Sequence, residues 1–345
     1  MGNSALRHAA VGMAALAAAL VGVASNPAEV SAQTTWKMHI VWVPARPEAQ
    51  AYKRFADMVN EKAAGKLKID LHQGGTLGVK DVDMLRILPA GNVIQIAGLY
   101  PGYMTRDVPE YASTLPPGVV KEPAKMVDGL PALTKIYEET YKKWGIELLG
   151  YVMHPTRDTH IMCKEPVSSL AQLKGKKLRV WEKFHVDTFA ELGVSAQIVG
   201  QNDLYVAMKT GVVDCAVYPI GFATTVSLHE VAPNASYLFP YVLHPLHIIV
   251  SKKAYDALPA DVRKIVADAA VATQQETIKN YLSGNYDREA AKLFVEKGGK
   301  ELPPFPDTDQ SAFTKTAREV WEKTAKSLGP KAVENYEAVL KGLGN

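Results

Sequence analysis

Short apolar runs bounded by turn residues alternate with helix-period segments along most of this 345-residue chain, the pattern of strand–helix–strand units. It is densest over 170–219. There Leu178-Arg179-Val180-Trp181 reads as a strand, Ile198-Val199 as a second and the run ending at Tyr218-Pro219 as a third, with amphipathic segments between them. The first part of the chain repeats the scheme. Residues 36–43 alternate as a strand, and 46–64 carry helical periodicity through Tyr52, Phe55, Met58 and Val59. A second strand is predicted at 66–71, a helix at 79–88 and an apolar third strand at 92–97. The halves share a local frame in which Asp83, Gly91 and Ala97 match Asp203, Gly211 and Val217. In each, the Asp is placed to accept hydrogen bonds from free backbone amides at a helix start. The Gly supplies a left-handed cap, and a strand follows.

Two such βαβαβ halves predict two α/β lobes facing one another, with ligand bound beyond the carboxyl ends of the strands. The repeat makes Gly98 the counterpart of Tyr218, each just past a strand end. Gly98-Leu99-Tyr100 and Tyr218-Pro219 are therefore expected to approach across a cleft. Residues 147–162 and 238–250 read as crossings between the lobes. Boundaries follow at 33–150 for the first lobe and 151–240 for the second, with 241–345 supplying a crossing strand and helices that brace both. Those helices are predicted from Leu258-Pro259 towards Tyr281 with a break at Gly284, over 285–297, over 310–328, and after Pro330.

Residues 1–32 read as an export signal rather than structure. Arg7 precedes an Ala/Leu/Val/Gly-rich core at 9–24, and Val30-Ser31-Ala32 offers small residues for cleavage after Ala32. A core of 16 residues is short of the roughly 20 that span a bilayer. The balance of 39 basic and 36 acidic residues argues against a nucleic-acid partner. Cys163 and Cys215, 52 positions apart, fit no metal spacing. They could bridge in an oxidising compartment, but two separate buried thiols are the favoured reading.

The chemistry of catalysis is missing from the motifs. There is no G-x-S-x-G elbow, P-loop, H-E-x-x-H or C-x-x-C. Gly74-Gly75-Thr76-Leu77-Gly78 reads as a tight turn. His244 and His247 flank a proline and, in an extended segment, should face opposite ways, so no metal is assigned, nor any cofactor.

Leu173-Lys174-Gly175, Leu178-Arg179-Val180, Ala207-Met208-Lys209-Thr210-Gly211-Val212-Val213-Asp214 and Leu258-Pro259 resemble the extracytoplasmic solute receptors of TRAP transporters, the DctP-type family. Leu85-Arg86, Ala90-Gly91, Pro101-Gly102-Tyr103 and Val108-Pro109-Glu110 carry the same likeness, which covers essentially the whole exported chain. The resemblance implies a two-lobed periplasmic-binding-protein fold that closes on an organic acid and hands it to a membrane permease. It also implies that Arg179 binds the ligand carboxylate. A guanidinium among apolar neighbours needs an anion, and it can take a carboxylate in a bidentate grip that Lys cannot reproduce. The competing partner is an acid of the chain itself, such as Glu182.

Two positions depart from the family pattern: Trp181 where Pro is common, and Tyr218 where Asn is common. Rings at both places suit a carboxylate with a bulky, aromatic or branched body better than a plain C4-dicarboxylate; the rings could equally fill space in the lobe. Arg157 stands near the place of a second ligand-contacting Arg in some members, with different local spacing. Arg46 and Tyr100 could reach the cleft from the first lobe, and Arg46 could also remain in solvent. The expected protein is a monomeric periplasmic receptor. An exported enzyme, or a binding module for a membrane sensor, would use the same cleft.

Overall fold

A computed structural model describes residues 33–242 and 244–344; the predicted signal segment lies outside them. The first strand, β1 (Thr34–His39), buries Trp36 and Met38 on one face. Pro47 opens α1 (Pro47–Lys62), which turns Tyr52, Phe55, Ala56 and Val59 inward at helical spacing. After β2 (Leu67–His72), the predicted helix at 79–88 is divided. A 3₁₀ turn at Asp81–Asp83 leads into α2 (Met84–Ile87), and a second 3₁₀ turn containing Pro89 ends at Gly91 in the left-handed conformation. The third strand, β3 (Ile96–Leu99), starts later than predicted. The Gln95 side chain accepts from Lys37 N and donates to Gly91 O, and the ladder with β1 runs from Ile96 opposite Met38.

No element is predicted between 101 and 145, yet the structure places there the 21-residue α3 (Pro123–Lys143), with Pro131 inside it. The chain then enters β4 (Ile146–Val152), crosses, and runs back as β5 (Asp158–Cys163) in the second sheet. There α4 (Leu170–Leu173), β6 (Leu178–Val180), α5 (Lys183–Glu191), β7 (Ala196–Ile198), α6 (Leu204–Thr210) and β8 (Cys215–Pro219) reproduce the first half. Gly211, like Gly91, is left-handed. Asp83 and Asp203 both sit at N-cap positions, but neither side chain caps its helix, contrary to expectation; a 3₁₀ turn precedes each helix. Short α7 (Ile220–Ala223) and α8 (Leu228–Val231) lead to β9 (Asn234–Pro240), and β10 (Leu246–Ser251) returns to the first sheet.

The sheets are ordered β2-β1-β3-β10-β4 and β11-β9-β5-β8-β6-β7, where β11 is the short strand Lys300–Glu301. In each, three parallel strands adjoin one antiparallel strand that arrives by a crossing, β10 or β5, which in turn pairs antiparallel with β4 or β9. The predicted crossings at 147–162 and 238–250 are thus borne out by β4–β5 and β9–β10.

After α9 (Lys252–Asp256), which is not predicted, the remaining helices follow the predicted order: α10 (Ala260–Ser283), α11 (Asn285–Glu296), α12 (Asp307–Leu328) and α13 (Pro330–Gly342), with the unpredicted β11 (Lys300–Glu301) between α11 and α12. Helix α10 packs on β4 and α1; after left-handed Gly284 the chain continues as α11 against α7 of the second sheet. Helix α12 touches α5 and β9 on one side and the 3₁₀ turn at Pro109–Ser113 on the other.

Cys163 and Cys215 form a disulfide, which corrects the reading of two separate thiols. Antiparallel pairing of β5 with β8 sets the two directly opposite one another. Gly98 and Tyr218 lie inside β3 and β8, not past their ends. Gly98 is there for packing, since a Cβ on it would stand 2.4 Å from the Tyr52 ring. Among the described residues no helix is long and apolar enough to cross a membrane.

Candidate functional site

The carboxyl ends of β6 and β8 and the segments after β1 and β3 converge on one cleft. Arg179, in the middle of β6, is 1% exposed. Its Nε donates to Val199 O at 2.9 Å and its Nη1 to Val217 O at 3.2 Å. These carbonyls hold the guanidinium plane while using only two of its five N–H donors. Among the described residues no carboxylate reaches it; Glu182 instead accepts from Tyr100 Oη at 3.3 Å. Burial pushes the Arg179 pKa down, though a guanidinium stays charged. The result is a buried cation anchored by neutral groups and facing open space. The rings of Trp181 and Tyr218 flank it at 6.0 and 5.9 Å.

Arg46 is buried rather than solvated, and its circumstances are opposite. It precedes the first residue of α1, and its Nε and Nη2 grip the Glu48 carboxylate at 3.0 and 2.7 Å. Its Nη1 donates to Tyr218 Oη at 3.0 Å, and its guanidinium stacks 3.5 Å over Phe222. Burial works to raise the Glu48 pKa, but Arg46 and a hydrogen bond from His154 outweigh it and hold it at about 2. Two buried guanidiniums therefore share the cleft, one neutralised and one not.

Tyr218 receives Arg46 from across the cleft and exchanges hydrogen bonds with Gln201 at 2.9 and 3.2 Å. Tyr100 reaches from the end of β3 to Glu182, just past β6. Burial raises the Glu182 pKa to about 7 despite hydrogen bonds from Tyr100 and Trp181. Trp181 stacks edge-on against His185 and Tyr241. Arg46, Tyr100, Arg179, Trp181 and Tyr218 all line a small inner chamber of about 40 Å³. Arg179, Trp181, Tyr103 and Gln201 also line a wider outer chamber of about 620 Å³, so Arg179 stands where the two meet.

Arg157 is not in the cleft. It sits in the first crossing, where Nε donates to Tyr281 O at 2.8 Å and Nη2 to Leu282 O, the last carbonyls of α10. The departure in local spacing has this physical meaning: the side chain closes a helix end and lines neither chamber. His244 and His247 also differ from expectation. Both turn toward α3, bonding Tyr137 and Tyr141, because Pro245 breaks the extended alternation. Among the described residues no cluster could hold a metal ion.

Sequence reasoning did not find Glu48, Trp42, Tyr103, Gln201, Phe222 or Tyr241, which also position or line the site. Glu48 carried a readable signal, an acid two residues after Arg46. Tyr103 lies in the Pro101-Gly102-Tyr103 stretch that carries the family likeness, whereas Trp42, Phe222 and Tyr241 belong to otherwise ordinary apolar segments.

Residues 38–327 match the family model for bacterial extracellular solute-binding proteins, family 7. A solute-binding protein of Sulfitobacter sp. NAS-14.1 is 28% identical over 220 residues, covering 63% of this chain and 66% of that protein. DctP7 of Bordetella pertussis, an extracytoplasmic solute receptor solved with pyroglutamic acid, superposes with a TM-score of 0.79 at 22% identity, covering 90% of this chain and all of that one. A TRAP periplasmic solute-binding protein of Sulfitobacter sp. NAS-14.1, solved with β-D-galacturonate, gives a TM-score of 0.76 at 23% identity, over 89% and 99% of the two chains. The fold is that of these receptors, and the chain belongs to the DctP family of TRAP extracytoplasmic solute-binding proteins, which bind and do not transform their ligands.

Proposed function

We propose that this protein captures a cyclic, aromatic or branched monocarboxylate in the periplasm and delivers it to a TRAP-type membrane permease. The observation that carries the reading is the unequal state of the two buried guanidiniums. Arg46 is already neutralised by Glu48, whereas Arg179 has only carbonyl and ring neighbours. One carboxylate is thus required, and among the described residues lining the inner chamber a second would meet no free guanidinium. Trp42, Tyr100, Tyr103, Trp181, Phe222 and Tyr241 supply an aromatic wall that suits a ring or branched body. Pyroglutamic acid and galacturonate, found in the two receptors above, are both ring compounds with a single carboxylate. Arg179, Trp181, Tyr218, Tyr100 and Arg46 form the site in this reading, with Arg46 fastening the opposite wall. Export with cleavage after Ala32 and action as a monomer belong to the same proposal.

The test is a thermal-shift screen of refolded, ligand-free protein against matched mono- and dicarboxylates. Ligand at about 100 times its dissociation constant adds roughly 2.7 kcal/mol of stability. A stronger response to cyclic or aromatic monocarboxylates supports the reading. A stronger response to succinate or malate defeats it.

A further inference from the structure

The outer chamber contains an acidic group whose hydrogen bonding is incomplete. Asp81, in the 3₁₀ turn before α2, is 7% exposed and lines that chamber together with Arg179. Its Oδ1 pairs with Nε2 of buried His39 at 2.9 Å, which fixes the carboxyl group. Its Oδ2 is buried and, among the described residues, has no hydrogen-bond partner. Buried polar atoms in folded proteins nearly always have partners, and leaving one without costs stability. Tyr103 lines the same chamber, and its phenol feels the fields of both Asp81 and Arg179. One face of the chamber thus offers donors to a carboxylate, and Asp81 offers an unmet acceptor.

We propose that Asp81 is a specificity-determining ligand contact that accepts a hydrogen bond from an N–H or O–H group carried by the same ligand whose carboxylate sits on Arg179. The ligand class narrows to amino, lactam or hydroxy acids, while simple hydrocarbon acids lack the group that Asp81 requires. This inference rests on the carboxylate reading above. A site built to hydrogen-bond a donor rejects analogues without it, because the protein acceptor is then left buried and unpaired.

Matched acid pairs test it: pyroglutamate against cyclopentanecarboxylate, and mandelate against phenylacetate. Each is titrated by calorimetry into the wild-type protein and into Asp81→Asn, Asp81→Ala and Arg179→Ala. Asn keeps an oxygen for His39 and replaces the free oxygen with a donor, so it preserves the local fold while reversing polarity. The wild type should prefer the donor-bearing member of at least one pair by about tenfold or more. Asp81→Asn should abolish that preference, and Asp81→Ala should do the same if its unfolding temperature is retained. Equal affinities within both pairs, or a preference that survives Asp81→Asn, overturn the role of Asp81 and leave the carboxylate reading standing. Acid binding unchanged by Arg179→Ala, or no acid bound at all, overturns the carboxylate reading and this inference with it.

Discussion

Arg179 and Arg46 differ in what neutralises them, and that difference predicts how each responds to substitution. Arg179→Ala removes the cation that a buried carboxylate would face, so acid affinity should fall by roughly 2–5 kcal/mol in calorimetry. Arg179→Lys should also bind clearly more weakly, because an ammonium offers no planar two-pronged grip; wild-type affinity in the Lys variant would contradict the geometry. Glu182 adds a pH dependence. Its pKa is raised from 4.5 to about 7 by burial at the contact with Tyr100. The arrangement joining the two walls therefore holds more protons than its separated form over about pH 4.5–7. Acidification through that window should favour it, and rising pH should weaken it. Ligand affinity measured from pH 5 to 8 should reflect this, and Glu182→Gln should flatten the profile; an unaltered profile would remove Glu182 from closure.

At the scale of elements, legibility in the sequence followed locality. The parallel strand–helix–strand units and the C-terminal helices were readable because each carries its own period and its own Gly or Pro punctuation. Helix α3 was not, since prolines at 101, 109, 116, 117, 123 and 131 mask its period. The Cys163–Cys215 bridge depends on β5 and β8 meeting after a long excursion, a pairing that no local pattern encodes. A loop of 52 residues constrains the unfolded chain by about 4 kcal/mol. The Cys163→Ser/Cys215→Ser variant should accordingly lose about 2–4 kcal/mol in urea unfolding; unchanged stability would show the bridge to be dispensable. Arg157 was identified as a residue of interest, but its role came from the tertiary fold. It ties the α10 carboxyl end to the first crossing, its backbone N–H donates to Asp287 at 2.6 Å, and its carbonyl receives Tyr241 N from the second crossing. Arg157→Ala should lower stability by about 1–3 kcal/mol while leaving the preference for acids over their amides intact. Loss of that preference would return Arg157 to the ligand site.

Across the whole molecule, both sheets follow one plan: three parallel strands, then an antiparallel strand delivered by a crossing, then its neighbour. The plan brings the carboxyl ends of β3, β6 and β8 around one cleft, which is how residues separated by more than 100 positions, such as Arg46 and Tyr218, come within 3.0 Å. The repeat made that convergence predictable from sequence. It did not give the charge state of the cleft, because whether Arg179 or Arg46 finds an internal acid is decided by side-chain directions that periodicity does not specify.

Arg179, a buried guanidinium with no carboxylate partner among the described residues, is the proposed seat of the ligand's carboxylate. The most direct measurement compares an acid found in the thermal screen with its uncharged primary amide, titrated calorimetrically into wild type and Arg179→Ala. The wild type should prefer the acid by about 100-fold or more, in keeping with a buried charge pair, and Arg179→Ala should nearly abolish this preference. A preference for the acid that persists in Arg179→Ala would place the ligand's charge elsewhere and remove Arg179 from its recognition.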